Sequence, residues 1–407
     1  MDGSMTSAAQ AAAFRTRAEA DLPAFLADLE RLVNIDCGSY TKAGVDTVGR
    51  WVAARMSEIG ARVEVRPHDT LGDTVIGTWP GNGGPRLLLI GHMDTVFDPG
   101  TAAERPFSID DGIARGPGVT DMKGGLLAGL YAIEAVRSSS VGLPFERISY
   151  VANPDEEIGS PTSTPHIREL AADADVCLVL ECARANGDIV SSRKGILDAR
   201  IAVAGRAAHA GVEPEKGRSA ILAGADLVTT LHALNGRWDG VTVNVGVIRG
   251  GSRPNVVAER CELEVDVRAV AADDLRAAEA EIDRLLGHLA VPDTSATLEP
   301  MARWWPMEKL EPSGRLVQHA KDVAAQLGFE LHDAATGGAS DANTTSGMGV
   351  PTIDGLGPIG GNDHSPAEYL EVDSIVPRVA MLAGLLVAIG RDPQLTGRAK
   401  AAAGVDH

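Results

Sequence analysis

The chain has 407 residues, 44% of them hydrophobic and 23% charged, the balance of an ordinary globular protein, and its length exceeds what one core serves, so two domains are expected. With 56 acidic against 37 basic residues the net charge is −19, which repels polyphosphate and excludes nucleic acid and anionic membrane as main partners. No apolar run reads as approaching the roughly 20 residues that span a bilayer, and the amino terminus lacks the continuous apolar stretch of a secretory signal, so a cytoplasmic protein is expected.

In chain order, amphipathic helices are predicted from Phe14 to about Val33 and from Val45 to Ile59, the second stopped by Gly60. Strands follow at "ARVEVRP" and "PRLLLIG", a helix from Met122 to about Val136, and further apolar strands at "RISYVAN" and "VCLVLE". Short, almost wholly apolar strands separated by helices mark an α/β fold with a mostly parallel sheet flanked by helices. Near Gly195 the pattern changes to "ILDARIAVAG", a helix around Ser219 to Leu234, "VTVNVGVIRG", "CELEVDVRAV", a helix from Asp273 to Leu289 and "SATLEPM". This β-α-β-β-α-β order predicts an inserted ferredoxin-like α+β domain at 195–308, one sheet face of which is left open. After Pro312 the α/β alternation resumes with "GRLVQHAKDVAAQLG", a strand at "VPTIDGLG" and a helix from about Ser374 to Ile389. Residues 1–194 and 309–407 therefore form one domain, and the alanine-rich chain ends read as frayed.

Cys37, Cys177, Cys182 and Cys261 show no paired spacing, so a metal site must draw on His, Asp and Glu. In open α/β sheets ligands collect beyond the carboxyl ends of the strands. His92 and Asp94 follow "LLLI"; Asn153, Asp155, Glu156 and Glu157 follow "ISYVA"; Glu181 follows "CLVL". Asp121 lies in the loop "GPGVTDMKGG", and His364 in "GGNDHSPAEYL". Taken singly, a strand-end acid is a helix cap or a solvated group and a single histidine is structural. Five segments converging on one edge point instead to metal: zinc accepts nitrogen and oxygen donors together, and two ions about 3.5 to 4 Å apart require a bridging carboxylate.

The motifs "GHMDTVF", "GPGVTDMKGG", "DEEIGS", "LVLE", "GRAAHAGVEPEKGRSA", "GGSRPNVVAERCELEVDVR", "GGASDAN" and "HSPAEYL" resemble, in order, those of the dinuclear zinc exopeptidases. That family includes glutamate carboxypeptidase, acetylornithine deacetylase and succinyl-diaminopimelate desuccinylase, and the likeness is strongest to the glutamate carboxypeptidase branch. The resemblance implies a catalytic zinc-hydrolase domain at 1–194 and 309–407, a dimerisation or lid domain at 195–308, and two Zn2+ per subunit. It makes Asp121 the bridging carboxylate, with His92 and Glu181 on one zinc and Glu157 and His364 on the other. Glu156 becomes the general base. Asp94, two residues past His92, is placed to accept that ring's second N–H, and adjacent Glu156 and Glu157 point apart as they would on extended backbone. A cis peptide between Asp121 and Met122 is also implied.

For the substrate, the resemblance implies that His209 reaches across a homodimer to the oxyanion, that Asn255 donates to substrate, and that Arg268 binds a free carboxylate. Arg303, with Arg193 and Lys194 as alternatives, is a candidate for a glutamate side chain; Trp304 and Trp305 either stack on an acyl group or pack in the core. The expected activity is cleavage of the amide bond to a carboxy-terminal amino acid, glutamate-like, in a small-molecule or short peptide substrate of folate or N-acyl-glutamate type. An N-acyl amino acid deacylase or dipeptidase is the alternative enzyme, and an inactive binding or scaffold protein the alternative of another class.

Overall fold

The computed structural model describes residues 6–397. The chain divides into two compact units: Met1–Ser192 with Lys309–Ala335 and Ser340–His407, and Arg193–Glu308 with Thr336–Ala339.

The first unit is built on a six-stranded sheet whose order is Arg62–Arg66, Thr74–Pro80, Arg147–Asn153, Arg86–His92, Val176–Val179, Thr352–Ile353. The last four are parallel to their neighbours, and the first two add an antiparallel edge. Leu87, Leu88, Leu89 and Ile90 are all buried, as a strand covered on both faces requires. Among the covering helices, Lys42–Glu58 turns Val45, Val48, Val52 and Met56 inward, the spacing of a single helical stripe. The helix Gly124–Ser138 begins against a strand end: a Cβ on Gly125 would stand 1.8 Å from the Leu180 carbonyl oxygen, so only glycine fits.

Four expectations need correction. The first helix starts at Ala8, six residues before Phe14, because Ser7 and Gln10 form a capping box and alanine is the best helix former. Thr6 is also tied down, its hydroxyl donating to the Gly384 carbonyl at 2.8 Å, so this alanine-rich end is ordered helix; the alanines at 399 and 401–403 lie outside the described residues. The Thr74–Pro80 strand escapes the apolar pattern because Gly77 breaks it, and that glycine is required where a Cβ would meet Met56 Sδ at 2.7 Å. Last, Val372–Gly390 is a 19-residue helix long and apolar enough to cross a membrane, contrary to expectation, but 78% of its apolar window is buried inside the protein. It is a core helix of this unit.

The second unit is a four-stranded antiparallel sheet in the order Thr242–Gly250, Arg260–Ala269, Gly195–Ala204, Ser295–Trp304. Helices Ala220–His232 and Ala272–Leu286 join it in ferredoxin-like order. Leu197, Ala199, Ile201 and Val203 alternate inward along one strand and share a core with Leu227, Leu275 and Ile282 of the helices. The unit extends beyond 195–308 because Thr336 accepts from Lys194 N at 3.2 Å, Gly337 from Arg268 Nη1 at 3.0 Å and Gly338 from Arg193 Nη1 at 3.1 Å.

Candidate metal centre

Parallel pairing sets His92 directly beside Asn153 at the carboxyl ends of adjacent strands, so the segments that continue from these strands leave the sheet side by side. His92 Nε2 lies 3.0 Å from Asp121 Oδ1 and 3.8 Å from Glu181 Oε1. His364 Nε2 lies 3.2 Å from the other Asp121 oxygen, Oδ2, and 3.0 Å from Glu157 Oε2. One carboxylate thus faces an imidazole with each oxygen. Donor atoms of His92, Glu156 and Glu181 fall within 4.8 Å of one another, as do those of His92, Asp121 and Glu157. The structure therefore brings together all five proposed ligands and the proposed base.

The supports of this cluster are only partly those expected. Asp94 is fully buried, but its main-chain oxygen, at 3.0 Å, is nearer to His92 Nδ1 than its carboxylate at 3.4 Å. The carboxylate instead accepts from Ser39 Oγ at 2.6 Å and from the amides of Glu156 and Glu157, both at 3.2 Å. Those two glutamates diverge because Glu156–Ile158 is a turn of 3-10 helix, where successive side chains are rotated by about 120°; extended backbone is not the reason. Behind this turn, Asp341 of the "GGASDAN" motif accepts from Asn153 Nδ2, and from Ser160 Oγ at 2.6 Å. The peptide between Asp121 and Met122 is cis.

Sequence patterns miss several residues that shape the site. Arg378, buried in the apolar Val372–Gly390 helix, donates to the carbonyls of Gly355 at 2.5 Å, Gly357 at 2.9 Å and Gly187 at 3.1 Å. It ties the loop that follows the Thr352–Ile353 strand to the loop that follows Glu181, and burial lowers its guanidinium to about 10. Lys123 is likewise buried and donates to Pro117 O at 3.0 Å. Glu368 accepts main-chain N–H groups of the Asp121 loop. A basic residue in an apolar helix, and a carboxylate shortly after His364, are the only sequence signals.

The expected substrate residues belong to the second unit. His209 is exposed, pairs with Val256 in an isolated bridge, and accepts from Gly211 N at Nδ1 over 3.1 Å, which leaves the ring proton on Nε2. Asn255 is brought beside it by the Ala210 N to Asn255 O bond of 3.0 Å. Arg268 is half engaged, its Nε 3.1 Å from each Asp266 oxygen. Arg303 is ion-paired to Glu279 and stacked over Trp305 at 5.6 Å, the contacts of an arginine that braces helix to sheet. Trp305 packs on the unit's core, and Arg193 is buried against Gly338.

Burial dominates the electrostatics of the cluster. It pushes Glu156 well above the ordinary carboxylate range, with the charge of Glu181 adding to the shift. Burial also raises Glu157. For Asp121 burial acts the same way, but hydrogen bonds from His364 and His92 outweigh it and hold the group below its usual value. His364 is raised to about 11 by its bonds to Asp121 and Glu157. His92 stays well above its ordinary value even though burial opposes this, because Glu181, Asp121 and Asp94 surround it. The acids hold their protons or draw protons onto the imidazoles, so the donor set demands positive charge. Its nitrogen and carboxylate oxygen donors fit zinc.

A ligating imidazole must give up that proton, and the sign follows: because His364 is raised above neutrality, zinc binding should release protons at pH 7 and weaken as pH falls. Calorimetric titration of zinc into metal-stripped protein, in buffers of different ionisation enthalpy, should show at least one proton released per subunit. Zero release would contradict the assignment.

The model of peptidase family M20/M25/M40 matches residues 88–388. Carboxypeptidase G2 of Pseudomonas sp. (strain RS-16) is 30% identical over 377 residues, covering 90% of each chain. Succinyl-diaminopimelate desuccinylase of Stenotrophomonas maltophilia (strain R551-3) is 28% identical, covering 82% of this chain and 90% of its own. Among solved structures, aminopeptidase PepT from Bacillus cereus ATCC 10987 is similar in fold, with a TM-score of 0.73 and 22% identity across 95% of this chain and 100% of its own. With a family model spanning most of both units and a relative aligned nearly end to end, the chain belongs to peptidase family M20/M25/M40, whose members are zinc-dependent metallopeptidases and amidohydrolases.

Proposed function

We propose that this zinc-dependent hydrolase is a carboxypeptidase that cleaves the amide bond to a carboxy-terminal glutamate-like residue, using two Zn2+ per subunit, on folate-type or N-acyl-glutamate substrates. The observation that carries the reading is Asp121, whose oxygens face His92 and His364 separately, the arrangement of a carboxylate shared by two ions. His92 and Glu181 would hold one zinc, and Glu157 and His364 the other. Bound zinc supplies Lewis acidity, polarising the scissile carbonyl and making water acidic. Glu156 takes the proton from water and returns it to the leaving nitrogen, a task suited to a carboxyl whose burial raises its proton affinity. Carboxypeptidase G2, similar over nearly the whole chain, supports the carboxypeptidase reading. Succinyl-diaminopimelate desuccinylase supports the alternative, an N-acyl amino acid deacylase on the same scaffold.

Arg268, whose Nε bonds Asp266 and Nη1 the Gly337 carbonyl, binds the free α-carboxylate through its guanidinium charge. His209 donates Nε2–H to the oxyanion from across a homodimer, and Asn255, its neighbour, assists. Arg303 is left out of substrate binding because Glu279 and Trp305 already engage it. Four buried cysteines, all free thiols, support a cytoplasmic location.

Glu156→Gln should retain both zinc ions and lose about 10^2- to 10^4-fold in kcat. Assayed beside the parent on aroyl-glutamate, N-acetyl-amino acid and dipeptide panels, near-parental turnover would reject the base, and faster acetyl-amino acid hydrolysis by the parent would favour the deacylase. In sedimentation the active protein should run as a dimer, and His209→Ala should lose kcat without changing that state. A fully active monomer would remove His209 from the reaction.

A further inference from the structure

We propose that Glu368 is a positioning residue of the metal centre: its carboxylate clasps the main chain that carries Asp121 and so couples the placement of Asp121 to that of His364. This rests on reading those two residues as zinc ligands. Strands Gly360–Gly361 and Tyr369–Glu371 pair as a hairpin, so His364 and Glu368 ride the one loop that it closes. Asn362 and His364 both adopt left-handed backbone, with φ of 57° and 60°, which is sterically unfavourable for a Cβ-bearing residue such as His364. Such a loop needs bracing. Within it, Ser365 Oγ donates to Asn362 O at 2.7 Å and Glu368 N to Ser365 O at 3.2 Å.

The brace to the rest of the unit is Glu368 itself. It is 1% exposed, and among the described residues no lysine or arginine forms an ion pair with it. Its Oε2 accepts from Gly118 N at 2.9 Å, and its Oε1 from Thr120 N at 2.9 Å and Asp121 N at 3.1 Å. Burying a carboxylate is expensive unless donors surround it, and here the donors are the amides leading into the shared ligand. Asp121 is consequently gripped at both ends. Glu368 fixes its amide, while His92 at 3.0 Å and His364 at 3.2 Å hold its carboxylate. Two of these three grips come from one loop, so a shift of that loop displaces two ligands together. Supports of this kind change metal affinity about 10- to 100-fold when removed.

The test uses the full chain stripped of metal, with zinc affinity measured by competition against a chromophoric chelator and the thermal midpoint of the stripped protein measured separately. Glu368→Gln places amide hydrogens against amide donors, and should bind zinc 10- to 100-fold more weakly; Glu368→Asp, a shorter carboxylate, should fall between it and the parent. A purely structural role would lower the stripped midpoint and leave the affinity of folded protein unchanged, which would overturn the proposal. If the glutamine variant does not fold, the aspartate variant decides: weakened binding at a parental midpoint supports the clasp, and parental affinity overturns it. Asp121→Asn and His364→Ala serve as controls. Loss of zinc in these, with parental affinity in Glu368→Gln, defeats the clasp alone, whereas parental affinity in every variant defeats the ligand reading beneath it.

Discussion

Asp121, Glu156, Glu157 and Glu181 converge at the end of a buried parallel sheet, and that concentration of carboxylate governs the rest of the site. Carboxylates brought this close in a low-dielectric setting repel one another and lose hydration, so they must bind protons or cations. With protons alone the demand shows as raised proton affinity at His92, Glu156 and His364. Divalent cations answer the same demand more completely. The chemistry of the centre is thus a consequence of how the fold forces acids together.

Holding such a cluster open against its own repulsion calls for rigid carriers. Strands with wholly buried runs, such as Leu87 to Ile90, provide them, because their side chains have no freedom to move aside. The loops beyond the strands are then pinned by buried polar groups acting on main-chain atoms: Asp94 on the amides of Glu156 and Glu157, Arg378 on three glycine carbonyls, and Glu368 on the Asp121 loop. Each pinning group comes from a segment remote in sequence from the loop it holds. The cluster is therefore a property of the whole first unit; within the second unit, His209 and Asn255 stand together.

Much of this was legible in the sequence. Apolar runs marked the central strands, and the acids and histidines beyond them marked residues that the structure brings together, because several such groups on one sheet edge are harder to explain than any one of them. The alternation in the second unit likewise exposed its ferredoxin-like order. What escaped depended on contacts with no local periodicity. The Thr74–Pro80 strand was hidden by Gly77, whose value is the space it leaves for Met56. Glu368 and Arg378 act on backbone atoms between 21 and 250 residues away, and Ser39 on the Asp94 carboxylate 55 residues away, which no spacing rule reports. Arg303 was a candidate for a substrate carboxylate because nothing in the sequence marks Glu279 as its ion-pair partner.

The most direct measurement of the central claim is anomalous X-ray scattering at the zinc edge from crystals of the protein grown with zinc. Two peaks about 3.5 to 4 Å apart are expected, with Asp121 between them, His92 and Glu181 on one, and Glu157 and His364 on the other. A single peak, or peaks away from those five side chains, would contradict it.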